Sequence, residues 1–232
     1  MMPATRGSAR GLVEIARPHL PPAAVDHVAR ACGGLRMDLR VVRPRRSKLG
    51  DHRPPHPPRR PRHHITVNAD LNPWAFLTTL LHEVAHAATW ERHARSRRWV
   101  RPHGPEWQAE FAAVLQPFLD ERVFPAELAA AVRRSLASPT AATCSDRGLL
   151  LALARYDQAA AGRVRVEELA EGAWFRVDGR HVFRAGRLVR TRRRCFMAGS
   201  DQEYRVHGLL AVEPLDGPPA VSVSSRRRQR WR

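Results

Sequence analysis

The sequence predicts an α+β chain: a helical first domain built around a short β-sheet, then a small antiparallel β domain of barrel-like form. Three observations carry this. Apolar and charged residues alternate over 35–42, which marks a half-buried strand, and His64-Ile65-Thr66-Val67-Asn68 reads as a second. A long apolar segment opened by Asn72-Pro73 marks a buried helix. From Gly172 onward, short runs such as Trp174-Phe175 and Val182-Phe183 are punctuated by Asp178-Gly179, Ala185-Gly186 and Gly199-Ser200, which marks hairpins.

Taken in order, residues 1–19 read as a flexible N-terminus. A short helix over 21–31 follows, with Pro22 near its start and Gly33-Gly34 ending it. In the strand at 35–42, Leu35, Met37, Leu39 and Val41 take one side and Arg36, Asp38 and Arg40 the other. Residues 44–62 are basic and Pro-rich. Proline lacks the backbone donor, so this stretch predicts an exposed loop, either a solvated insertion or a contact to phosphates or substrate. The helix opened by Pro73 runs to about Glu91, with Phe76, Leu77, Leu80, Leu81, Val84, Ala85 and Ala88 spread around its circumference.

A polar connection over 92–101 leads to a helix opened by Pro105 and closed before Pro125. A third amphipathic helix covers 125–136. The first domain therefore spans 20–137. Residues 138–171 read as a linker holding one short apolar element at 149–156, helix or strand. The β domain spans 172–215, and 216–232 is a basic, disordered tail ending in Arg230-Trp231-Arg232.

Composition narrows the functional classes. The formal net charge is +18 over 232 residues, and Lys48 is the only lysine. Arginine richness alone reflects codon usage, but an excess of positive over negative charge does not, and it favours a polyanionic partner, DNA or RNA first. No run approaches the ~20 apolar residues of a membrane span, and no secretory signal is visible. The expectation is a cytoplasmic protein without a membrane partner, within reach of the nucleoid. Cys32, Cys144 and Cys195 are too scattered for a disulfide scaffold or a cysteine zinc ribbon, and read as free thiols.

The chemistry concentrates in His82-Glu83-Val84-Ala85-His86. Residues i and i+4 of a helix share a face, so His82 and His86 can bind one metal through two imidazoles. Two neutral nitrogens suit zinc, and Glu83 beside them can take the proton of the attacking water. Two histidines and a glutamate inside a buried helix are costly without such a partner. A catalytic zinc takes a third protein ligand. His93 falls one place late for the metzincin pattern. Glu106 and Glu110 on the following helix are candidates, and His103, just before that helix, is the better one.

His82-Glu83-Val84-Ala85-His86 followed by His103-Gly104-Pro105-Glu106-Trp107 resembles the SprT-like metallopeptidases. Upstream, Ser47 to Arg53, Ile65-Thr66-Val67-Asn68 and Leu71-Asn72-Pro73 resemble the approach to the metal helix in bacterial members. The resemblance covers about residues 20–136. It implies a zincin-like domain in which His82, His86 and His103 hold one catalytic zinc and Glu83 is the general base. It also implies action on proteins bound or crosslinked to DNA. The zinc ribbon that follows the domain in many relatives is missing, and the segment around Arg187–Cys195 and Tyr204-Arg205-Val206 looks like a metal-free barrel in its place, with a basic strand that faces phosphates or solvent.

The expectation is thus a zinc-dependent endopeptidase in which Glu83 activates a zinc-bound water and DNA meets the basic surface. The alternative is a nucleic-acid-binding protein that keeps a zinc site without physiological proteolysis.

Overall fold

The computed structural model describes residues 9–45, 48–93, 100–137, 146–157, 162–200 and 202–219. The chain forms two compact units that divide between residues 158 and 159.

In the first unit, strands β1 (Met37–Val42) and β3 (His63–Asn68) run parallel, paired from Met37↔His63 to Val42↔Asn68. Strand β2 (Gly50–Arg53) lies antiparallel on the other side of β3, from Gly50↔Val67 to Arg53↔His64. The order is β1-β3-β2, so β2 is an edge. Its presence corrects the single loop expected over 44–62. The proline argument holds only where prolines stand, and none lies between Pro44 and Pro54, so the chain there is free to pair.

The expected flexible N-terminus is also corrected in part. Helix α1 (Ala9–Ala16) buries Leu12, Val13 and Ala16, a spacing that places all three on one face. Helix α2 (Val25–Ala31) follows a 3₁₀ turn at Pro22–Ala24.

Helix α3 (Pro73–His93) is the centre of the unit, and every residue from Phe76 to Ala85 is buried. Asn72 caps it: its Oδ1 accepts from the backbone N–H of Trp74 at 3.0 Å and of Ala75 at 2.9 Å. Two of the hydroxyls buried in this helix are satisfied locally. Thr78 donates to the Trp74 carbonyl at 2.8 Å and Thr89 to that of Ala85 at 2.7 Å.

Helix α4 (Pro105–Asp120) packs on α3 and buries Trp107, Phe111, Leu115 and Phe118 on successive turns of one face, with Trp107 and Phe111 against the α3 histidines. Helix α5 is Ala126–Leu136. The short element that the sequence left as helix or strand is helix α6 (Arg147–Ala154), started by Asp146, whose side chain accepts from the Leu149 N–H at 3.0 Å.

The second unit is one antiparallel sheet of six strands: β4 (Val164–Arg165), β5 (Trp174–Val177), β6 (His181–Val189), β7 (Arg192–Met197), β8 (Glu203–His207) and β9 (Ala211–Leu215). Their order is β4-β9-β5-β6-β7-β8. The sheet is open, which corrects the barrel. Closure needs the two edges to pair along their length, and β4 offers two residues before the chain turns into a 3₁₀ segment at Val166–Glu168.

One face of this sheet carries Phe175, Phe183, Ala185, Cys195 and Val212, all buried. Arg193 also points inward. Its guanidinium donates to the carbonyls of Val166 at 2.9 Å, Gly186 at 2.6 Å, Glu167 at 3.2 Å and Leu169 at 2.8 Å. One arginine of the expected basic strand is therefore a structural pin. Cys32 and Cys195 are buried free thiols, and Cys144 lies outside the described residues. Among the described residues, no helix is long and apolar enough to cross a membrane.

Candidate metal centre

Two turns of buried helix and one strained turn build the site. His82 and His86 project from the same side of α3. His103 reaches them from the turn that enters α4, in the left-handed conformation with φ of 59°. That conformation is uncommon for a residue with a side chain and is found at functional turns. The turn is tight: the Gly104 N–H donates to the Arg101 carbonyl at 2.9 Å, and a Cβ at Gly104 would meet that same oxygen at 2.9 Å.

The three Nε2 atoms converge. They lie 3.2 Å apart between His82 and His86, 3.0 Å between His86 and His103, and 3.1 Å between His103 and His82. Burial and the neighbouring imidazoles push the pKa of His82 down to about 2. Burial, then His103 and His52, push His86 down to about 3, and burial lowers His103. Neutral rings present lone pairs, and three lone pairs aimed at one point repel unless a cation sits among them. Nitrogens about 2.0–2.1 Å from a tetrahedral ion lie about 3.3 Å apart, close to what is observed. The donor set fits a borderline divalent cation such as zinc, and among the described residues this trio forms the one cluster able to hold a metal.

Residues 43–129 match the family model described as SprT-like. This segment belongs to the SprT-like family. It contains His82, Glu83, His86 and His103 and runs from before β2 into α5, a narrower span than the resemblance suggested. No curated protein and no solved structure matches the chain.

Within the SprT-like segment, Glu83 is buried beside the histidines. Burial, reinforced by the Asp51 carboxylate, pushes its pKa up to about 8, against the pull of Arg45 and Lys48. Its carboxyl therefore holds a proton far more tightly than an exposed glutamate does. Below the histidines lies Trp107, whose ring is centred 4.6 Å from His82, 5.2 Å from His86 and 4.8 Å from His103, with Phe111 stacked on it at 4.8 Å.

The other expected candidates stay out of the cluster. Glu110 is paired with Arg92, and Glu106 does not join the three histidines; His93, set aside on spacing, stays out as well.

A second layer was not foreseen. His52 on β2 lies parallel to His86, with centroids 6.0 Å apart and planes at 6°. Its Nε2 is 2.8 Å from Nδ1 of the fully buried His63 on β3, and His63 Nε2 is 3.0 Å from Glu91 Oε1 on α3. A carboxylate only accepts, so His63 donates from Nε2, and its bare Nδ1 accepts from His52. Reading 44–62 as one loop concealed this chain. A histidine pointing inward on β3 with no motif of its own was the available signal.

Proposed function

We propose that the SprT-like segment is a zinc-dependent endopeptidase that acts on proteins bound or crosslinked to DNA. The observation that carries the peptidase reading is the convergence of three imidazole Nε2 atoms next to a buried carboxyl. A zinc ion held by His82, His86 and His103 would acidify a water and polarise a peptide carbonyl.

The remaining work falls to the chain. Glu83 takes the proton from the attacking water onto its carboxylate and later gives it to the leaving amine. Trp107 and Phe111 close one side of the site with apolar surface and shape the space the imidazoles share. Strand β2, the sheet edge that packs on α3, offers unpaired backbone groups to an extended substrate.

The DNA part rests on charge. The chain carries +18 overall. In the second unit, the strand register puts Arg184 across from Phe196, Arg194 across from Arg205, and Arg192 across from His207, on the face opposite the apolar core. The Arg184 guanidinium lies 5.5 Å from the Phe196 ring centre, an aromatic-basic pairing suited to bases and phosphates. Glu203 offsets part of this charge by pairing with Arg194.

The same face supports the second reading, a nucleic-acid-binding protein whose zinc site does not cleave. Metal analysis with autocleavage and casein assays, run with single- and double-stranded DNA, separates the two. The peptidase reading expects about one zinc per chain and DNA-dependent cleavage. Zinc without cleavage on any DNA selects the second reading, and protein that takes up no zinc contradicts both.

A further inference from the structure

Gly50 opens β2 directly against the side chain of Glu83. A Cβ built there would overlap Glu83 Oε1 and lie 2.9 Å from Glu83 Cγ and 2.8 Å from the Thr79 methyl. Thr79 is one helical turn before Glu83, so both line the same side of α3. The space that any side chain at position 50 requires is already filled by the candidate base and its neighbour.

A glycine is demanded either by backbone conformation or by close approach. Conformation is excluded as the reason here, because Gly50 is not among the residues with positive φ and sits in a regular pair with Val67. Close approach remains.

The strand cannot retreat to make room. The buried Asn68 holds the segment before Gly50 at several points. Its N–H donates to the Leu49 carbonyl at 2.9 Å, its Nδ2 donates to the carbonyls of Lys48 and Arg45 at 3.1 Å each, and its Oδ1 accepts from Arg45 Nε at 2.9 Å. Past Gly50, the strand is held by its antiparallel ladder with β3, from Asp51↔Thr66 to Arg53↔His64. Of the atoms crowding position 50, the Glu83 carboxyl is the free end of a flexible side chain and moves furthest, while the Thr79 methyl and Glu83 Cγ give way by a few tenths of an ångström.

We propose that Gly50 is a positioning residue for catalysis: the bare backbone of β2, fixed by Asn68, sets where the Glu83 carboxylate stands relative to the three histidines. This rests on the peptidase reading above for its kinetic consequence, but not for its geometry. An added methyl at position 50 pushes the carboxylate aside while the fold and the histidines remain. A misplacement of about 1 Å can cost on the order of 100-fold in rate.

The test uses the full chain, zinc-loaded, as wild type, Gly50→Ala, Glu83→Asp and the double variant. Gly50→Ala should keep its zinc and its fold, keep KM within about 3-fold, and lose at least about 10-fold in kcat. Glu83→Asp already displaces the carboxylate by one methylene, so adding Gly50→Ala to it should cost less than about 3-fold, the non-additivity of residues acting through one another. Crystal structures of wild type and Gly50→Ala read the geometry without any assay, with a displaced carboxylate and an unmoved β2 expected. Wild-type kcat in Gly50→Ala, an equal loss in both backgrounds, loss of zinc or fold, or a shifted strand with the carboxylate in place each overturns the proposal. If the wild type cleaves nothing, the peptidase reading fails, and the crystal structures still decide the role of Gly50.

Discussion

The Nε2 atoms of His86 and His103 lie 3.0 Å apart although 17 residues separate them in the chain. No local structure brings them together. The packing of α4 on α3 does, through Trp107, and the left-handed turn at His103 completes the approach. His103 is thus a third ligand made by tertiary structure. His103→Ala should weaken zinc binding by at least about 10-fold, while Glu106→Ala should leave it unchanged. Competition against a chromogenic chelator measures both. Equal zinc affinity in wild type and His103→Ala would remove this histidine from the site.

The metal-free protein should be most stable near pH 6.5. Folded Glu83 keeps a proton up to about 8, whereas the unfolded residue loses it near 4.5. Its contribution is therefore full below 4.5 and is lost as pH rises toward 8. His82 and His86 act in the opposite sense. Unfolded, they take up protons below 6.5; folded, they do so only near 2 and 3. Their contribution is present above 6.5 and lost on acidification, and between 4.5 and 6.5 two imidazoles outweigh one carboxyl. Urea unfolding of chelator-treated protein at pH 5, 6.5 and 8 should give the highest midpoint at 6.5. A midpoint that keeps rising to pH 8 would mean that Glu83 is not held in a buried seat.

Arg193 should matter for folding rather than for binding a polyanion. Its loss takes a donor from the four carbonyls of Val166, Glu167, Leu169 and Gly186, of which Val166 still accepts from the Leu169 N–H at 3.4 Å. At roughly 1–3 kcal/mol per unsatisfied group, Arg193→Met should cost at least about 3 kcal/mol in the second unit. Hydrogen exchange over 164–215 should rise in that variant while zinc content stays the same. Arg192→Met, by contrast, removes an exposed side chain and should leave exchange unchanged. Similar exchange in the two variants would deny Arg193 its structural role.

Much of this was legible in the sequence because the signals were local. Asn72-Pro73 is a helix start that needs no partner, and i, i+4 spacing fixes a shared face wherever the helix lies. The alternation in β1 and the turns of the β domain are of the same kind. What escaped depends on neighbours distant in sequence. Strand β2 exists because β3 offers it an edge, and the prolines flanking it masked four residues that could pair. The second layer of His52, His63 and Glu91 spans β2, β3 and α3, so no spacing rule could link it. Arg193 reads as surface charge until the carbonyls around it are seen. The barrel was expected from a run of short hairpins standing where relatives carry a zinc ribbon, while closure turns on β4, too short to meet the far edge.

The most direct test of the central claim compares cleavage by wild type and Glu83→Gln at equal, measured zinc content. The glutamine keeps the size of the side chain and leaves the three histidines in place, but it cannot take up a proton. Both proteins should hold about one zinc per chain, and the variant should lose at least about 100-fold in cleavage. Cleavage by Glu83→Gln at the wild-type rate would contradict the claim.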